Sequence, residues 1–333
     1  MTNEIPKPRR SRVKIVFTII VLIVLAAGIA WVFGPRTPAD LAVRFDPAML
    51  GEDLDAYLAR EEGKFDDIRP AAVKEIVWAY PSSKAKTPVS LVYLHGFSAA
   101  KAEIRPLPDM VAEKLGANLY YSRLAGHGRN GDAMAEATVN DWIQDAAEAI
   151  AIGERIGEKV VVVATSTGGT LAALAASEPE FTDRIDGLVL VSPNFKVRAS
   201  GSGLLTWPFA ETIVRLVVGE ERSFEPQNAA QGANWTTRYP SKAVLPMAAL
   251  VKAASALPFE QMQIPILFIF SPDDQVVDQS ITAAIAERWG GPADVLEVTS
   301  ADDPSNHVIA GDILSPSNNE KVAAAIEAFI RGL

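Results

Sequence analysis

The chain has 333 residues, no cysteine and a formal charge of −10. Its length suits one large α/β domain with an insertion, and the lack of cysteine excludes a thiol nucleophile, a disulfide framework and a Cys-based zinc site. Lys7, Arg9, Arg10, Arg12 and Lys14 against Glu4 give residues 1–33 a charge of +4. The remaining −14 on residues 34–333 argues against nucleic acid as a partner.

Residues 1–14 form a basic tail, followed by "IVFTIIVLIVLAAGIAWVF", residues 15–33, which carries no charge. As a helix it spans about 28 Å, the thickness of a bilayer core. Trp31 lies where an interfacial aromatic is expected, and the basic residues before the span place the N-terminus in the cytoplasm. A single-pass anchor therefore puts the rest of the chain on the far side, in the periplasm or cell exterior. The alternative is a signal peptide cleaved near Ala30, after which the protein is secreted.

"GPRTPAD" ends that helix, and residues 34–71 read as a linker with one short acidic surface helix, "GEDLDAYLAREEGKF". From residue 72 strands and helices alternate. "VSLVYLH" is a strand and "AEIRPLPDMVAEKLG" a helix. "ANLYYSRL" is a strand, and the next helix aligns Val139, Trp142, Ile143, Ala146 and Ile150 on one face. "KVVVVAT" is a strand and "GGTLAALAAS" a helix. "IDGLVLVSP", "IPILFIFS" and "ADVLEVTS" are strands, and "NNEKVAAAIEAFIRGL" is the closing helix. Continuous apolar strands between helices imply a doubly wound, mostly parallel sheet covered on both faces. Residues 194 to about 258 exceed any ordinary connection and carry their own apolar residues, so they read as an inserted helical cap over a site. The large apolar residues Leu204, Leu205, Trp207, Phe209 and Trp235 are the expected acyl pocket, with the cap's own small core as the other use for them.

Chemistry concentrates at "ATSTGG", where Ala164, Ser166 and Gly168 fit the nucleophile-elbow pattern G-x-S-x-G with Ala in first place. Small residues two positions either side of the serine let strand and helix pass closely. The helix N-terminus then aims free N–H groups at whatever bonds to the serine. Asp273 and Asp274 follow one later strand and His307 follows the last, supplying an acid and a base in the order Ser, Asp, His. His95 and His127 sit in His-Gly turns and read as loop braces, Asp278 as a helix N-cap, and Asp302 and Asp303 as loop caps rather than metal ligands. No dinucleotide or Walker fingerprint is present, so neither a cofactor nor a metal is expected.

From about residue 72 to 331 the chain resembles the α/β-hydrolase superfamily, in its serine esterase and monoacylglycerol-lipase-like branch. "YLHGFSA", "RLAGHGRNG", "DWIQD", "ATSTGG", "SPDDQVVD" and "NHVIAGD" carry the likeness. The resemblance implies Ser166 as nucleophile and His307 as general base. It implies Asp274 as acid in preference to Asp273, because the family acid stands with one residue between it and a pair such as Val276-Val277. It also implies an oxyanion hole from the backbone N–H groups of Phe97 and Thr167, with the Phe97 side chain lining the pocket. The expected activity is carboxylesterase or lipase-like cleavage of a small ester or lipid through an acyl-enzyme. Thioesterase or peptidase chemistry on the same fold is an alternative, as is an inert membrane-tethered binding protein.

Overall fold

The computed structural model describes residues 10–333; residues 1–9 of the basic tail lie outside the described residues. Among the described residues seven strands form one sheet in the order β1-β3-β2-β4-β5-β8-β9. They are β1 Glu75–Val77, β2 Thr87–Leu94, β3 Asn118–Tyr121, β4 Gly157–Thr165, β5 Gly187–Val191, β8 Ile266–Phe270 and β9 Ala293–Glu297. Only β1 is antiparallel to its neighbour. β6 Glu221–Ser223 and β7 Arg238–Pro240 pair as a separate antiparallel ribbon inside the inserted segment.

The central strands are buried along their whole apolar runs because helices cover both faces of the sheet. One cluster joins Trp142, Ile143, Ala146 and Ile150 of helix Val139–Ile156 to Val92, Val160 and Val162. The other joins Val111 of helix Leu107–Leu115 and Val322 and Ile326 of helix Asn319–Arg331 to Leu91, Val161 and Val189. Thr138 starts helix Val139–Ile156 through a reciprocal cap, its hydroxyl accepting from Asp141 N–H at 3.2 Å while Asp141 accepts from Thr138 N–H at 2.8 Å.

Two local expectations change. Residues 54–62 form a helix as expected, but Leu54, Tyr57 and Leu58 are buried in the main core rather than lying on the surface. Their i, i+3, i+4 spacing makes a narrow apolar stripe, and Glu62 closes a buried ion pair with Arg123 at 2.7 Å. The stretch expected to be helical from Ala102 becomes so only at Leu107, after a tight turn at Lys101–Glu103, because Pro106 and Pro108 lack the donors a helix interior needs.

One helix, Arg10–Phe33, contains a 21-residue span, Val13–Phe33, long and apolar enough to cross a membrane. At its end the chain turns against the inserted segment. Trp31 meets Trp207 edge-on at 5.2 Å, and Phe209 N–H donates to Pro35 C=O at 2.8 Å.

Candidate functional site

The strand-to-helix corner is as tight as the sequence implies. Ser166 sits between β4 and helix Thr167–Ser177 with φ 50° and ψ −116°, a strained backbone. The surroundings hold it there: Ser166 N–H donates to Val191 C=O at 3.0 Å, and Ser166 C=O accepts from Asn194 N–H at 3.0 Å and Thr170 N–H at 3.2 Å. Glycine at 168 is required by space, since a Cβ there would lie 2.2 Å from Leu94 C=O. Ala164 needs no such clearance at the other end of the pattern and packs fully buried between Leu94 and Leu190.

The loops after β8 and β9 bring the other two groups to this corner. His307 Nε2 lies 3.0 Å from Ser166 Oγ, and His307 Nδ1 lies 2.8 Å from Asp274 Oδ2. Asp274 is fully buried and also accepts from Val276 N–H at 2.7 Å, Val277 N–H at 3.0 Å and Gln279 Nε2 at 3.0 Å. Asp273 is exposed and turned away. The pair Val276-Val277 thus has a physical use, because its amides fix the carboxylate that faces the imidazole. Asp278 stands at the N-cap position of helix Gln279–Glu287, but its side chain bonds Lys196 at 2.9 Å and the Ser280 hydroxyl at 2.6 Å instead of a helix amide.

Asp303 fixes the His307 loop, accepting from His307 N–H at 3.1 Å, Val308 N–H at 3.0 Å and Gln227 Nε2 at 2.8 Å. Burial opposes a charge on His307, but the bond to Asp274 and the nearby carboxylates outweigh it and hold its pKa above 6.5. A hydroxyl, an imidazole and a carboxylate in this line can move a proton from Oγ to Nε2 and stabilise the imidazolium that results.

The loop after β2 closes the site from the other side. A Cβ on Gly96 would lie 3.2 Å from Ser166 Cβ, so the loop touches the serine. Phe97 N–H bonds no acceptor among the described residues, and Thr167 N–H belongs to the open first turn of its helix. Glu103, which no sequence motif singles out, lies beneath this loop. Its Oε2 accepts from Gly96 N–H at 2.7 Å and from the Tyr93 hydroxyl at 2.9 Å. Burial raises its pKa, while those two donors act in the opposite direction. His95 Nε2 accepts from Leu124 N–H at 3.0 Å, and His127 Nδ1 donates to Ala125 C=O at 3.1 Å. Burial pushes both imidazoles toward the neutral form, His127 to about 4. They brace the two His-Gly turns. Among the described residues no group of three or more His, Asp or Glu side chains could hold a metal ion.

Ser166 and His307 open into a cavity of about 540 Å³ roofed by the inserted segment. Phe97, Leu204, Leu205 and Trp235 line it. Trp207 and Phe209 do not, which is a correction. Helix Ala210–Val218 turns Ile213, Val214, Val217 and Val218 to the cavity, and Phe209, at its N-cap with φ 59°, is left facing the end of helix Arg10–Phe33. Val244 and Met247 of helix Val244–Ala254 complete the apolar wall. Their run, "VLPMAALVKAA", shows only that the helix is buried, not which surface it meets.

Comparisons with known proteins give the family and the fold. Residues 89–300 match the family model described as serine aminopeptidase, S33. A thermostable monoacylglycerol lipase from Bacillus sp. (strain H-257) is 29% identical over 127 residues, covering 38% of this chain and 49% of that relative. The match therefore spans about half the length of that curated protein. In fold, the chain is similar to a solved structure from work on LipS and LipT, two metagenome-derived lipolytic enzymes, with TM-score 0.64 and 21% identity over 80% of this chain and 100% of that one. It is also similar to a soluble variant of monoglyceride lipase from Saccharomyces cerevisiae, with TM-score 0.60 and 10% identity over 78% and 90% of the two chains.

Proposed function

As a member of the serine aminopeptidase S33 family of α/β-hydrolases, the chain is, we propose, a membrane-anchored serine hydrolase that cleaves carboxylic esters through an acyl-enzyme. The observation that carries this reading is the hydrogen-bonded line Ser166–His307–Asp274 at the floor of a mainly apolar cavity. Ser166 Oγ attacks the ester carbonyl carbon as its proton passes to His307 Nε2. The carbonyl oxygen takes the negative charge and receives the N–H groups of Phe97 and Thr167. Collapse expels the alcohol, which takes the proton from Nε2. Water then attacks the acyl-Ser166 ester with the same base, and the acid leaves.

An aminopeptidase needs carboxylates free to hold a substrate ammonium group. Of the acidic residues lining this cavity, Asp303 is committed to the His307 loop and Glu103 to the Gly96 loop, which leaves Glu225 exposed at the rim. The walls suit an acyl chain better, and the name of the Bacillus relative points the same way. With the full chain in detergent, kcat/KM for p-nitrophenyl butyrate is expected to exceed that for leucine p-nitroanilide by about 10²-fold or more. The reverse order would make it a peptidase.

The apolar span Val13–Phe33, uncharged from Ile15 onward and preceded by a basic tail, supports an anchor with the N-terminus cytoplasmic and the hydrolase domain outside. An alkaline phosphatase fused after residue 40 should be active in a bacterial host. An inactive fusion would reverse the orientation.

Glu103 is expected to act through the Gly96 loop rather than on substrate. Glu103→Ala should lower kcat by about tenfold to 10²-fold with KM nearly unchanged, since the loss falls on a loop that aims an oxyanion donor. Glu103→Gln, whose amide oxygen can still accept from Gly96 N–H, should recover most of it. Equal losses in both variants would contradict a loop-holding role.

A further inference from the structure

Helix Ala210–Val218 links the membrane-span helix to the mouth of the cavity. One end rests on the membrane-span helix: Phe209 packs on Gly34 so closely that a Cβ there would lie 2.6 Å from the Phe209 ring, and Trp207 meets Trp31. The other end is the mouth of the cavity, where Val217 lines the opening and is nevertheless 73% exposed. Leu216 beside it is 82% exposed and lines nothing. Nine residues of helix, about 13 Å, separate the two ends. Trp31, Phe33, Trp207, Phe209, Leu216 and Val217 thus place exposed apolar side chains at both ends of one short helix. In water such a set is costly; at a membrane interface aromatic and aliphatic residues of this kind are favoured. Arg36, stacked 5.7 Å from the Trp31 ring, supplies the cation that commonly flanks an interfacial tryptophan.

We propose that this face, from the last turn of helix Arg10–Phe33 along the outside of helix Ala210–Val218, seats on the bilayer that holds the anchor, so that an acyl chain passes from that bilayer into the cavity. The proposal rests on the anchored-hydrolase reading. What it adds is the occupant of the face and the direction of substrate entry. The anchor then does more than tether: its contact with the cap turns the cavity mouth toward the lipid.

The absence of cysteine makes the test direct, because Leu216→Cys creates a single labelling site. The full chain carrying the environment-sensitive dye NBD at 216 is reconstituted into phosphatidylcholine–phosphatidylglycerol vesicles. Glu158→Cys, exposed at the start of β4, is the control. The dye at 216 should shift to the blue and be quenched by nitroxide lipids, while the dye at 158 should be quenched by aqueous iodide. In a second arm, Leu216→Asp should slow hydrolysis of an oleoyl monoester held in the same vesicles by about tenfold, with p-nitrophenyl butyrate turnover unchanged. A chain that floats with the vesicles but shows water at 216, or an unchanged vesicle rate in Leu216→Asp, overturns the proposal and leaves the anchor standing. Protection at 216 that depends on protein-to-lipid ratio assigns the face to a second copy and overturns it too. A chain that fails to float removes the anchor and the proposal together.

Discussion

Replacing Ser166 or His307 by alanine is expected to lower kcat for ester hydrolysis by about 10⁴-fold or more, and the double replacement to be scarcely worse. The reason is mechanical: each group acts only through the other, across the 3.0 Å contact between Oγ and Nε2. Folding should survive either change. Without the imidazole, Asp274 still has the amides of Val276 and Val277 and the Gln279 side chain, so no buried charge is orphaned. Asp274→Asn should cost about 10²- to 10⁴-fold, because an amide facing Nδ1 no longer holds the needed tautomer or stabilises the imidazolium. Asp273→Asn should stay within about twofold, as expected for an exposed side chain that meets none of these groups. Steady-state kinetics on the five variants, with thermal melts to check folding, test this directly. A larger loss in Asp273→Asn would exchange the two roles.

The second large effect is on acyl chain length. Leu204, Leu205, Val214, Trp235 and Met247 give the cavity an apolar wall. Each buried methylene contributes about 0.8 kcal/mol, so four added carbons give about 3 kcal/mol, or about 10²-fold in kcat/KM. Rates on p-nitrophenyl esters should therefore climb from acetate to hexanoate. Val214→Phe, which puts a larger side chain at a buried position on the cavity wall, should move the optimum to shorter acids. Trp207→Ala should leave the profile of these soluble esters unchanged, since Trp207 meets Trp31 and not the cavity. A flat or falling series would mean that the acyl group lies elsewhere.

The strands that position the site were legible because continuous Val, Leu and Ile runs between helical patterns suit little besides the buried strands of a parallel sheet. Once those strands are placed, Ser166, Asp274 and His307 each fall in the connection that follows the carboxyl end of a parallel strand. The edge strand β1 and the β6–β7 ribbon escaped because three residues are too few to display alternation. Glu103 escaped for another reason. "AKAEIRPLP" reads as the start of a helix, and only the fold brings that carboxyl within reach of Gly96 N–H. Within the cap, composition announced a set of apolar side chains but not the surface each would meet. Trp207 and Phe209, the latter with a positive φ, meet the end of helix Arg10–Phe33 instead, and no pattern in the sequence encodes that turn.

The central claim is that Ser166 is a nucleophile activated by a neutral His307, and labelling by a fluorophosphonate across pH tests it most directly. The full chain should take up one equivalent of probe, mapped by peptide sequencing to Ser166, with none in Ser166→Ala. Because His307 must be unprotonated to accept the Oγ proton, and Asp274 raises its pKa, the labelling rate should fall on the acid side with a midpoint above 6.5. Well-folded chain that takes up no probe, or takes it up at another serine, would contradict the account.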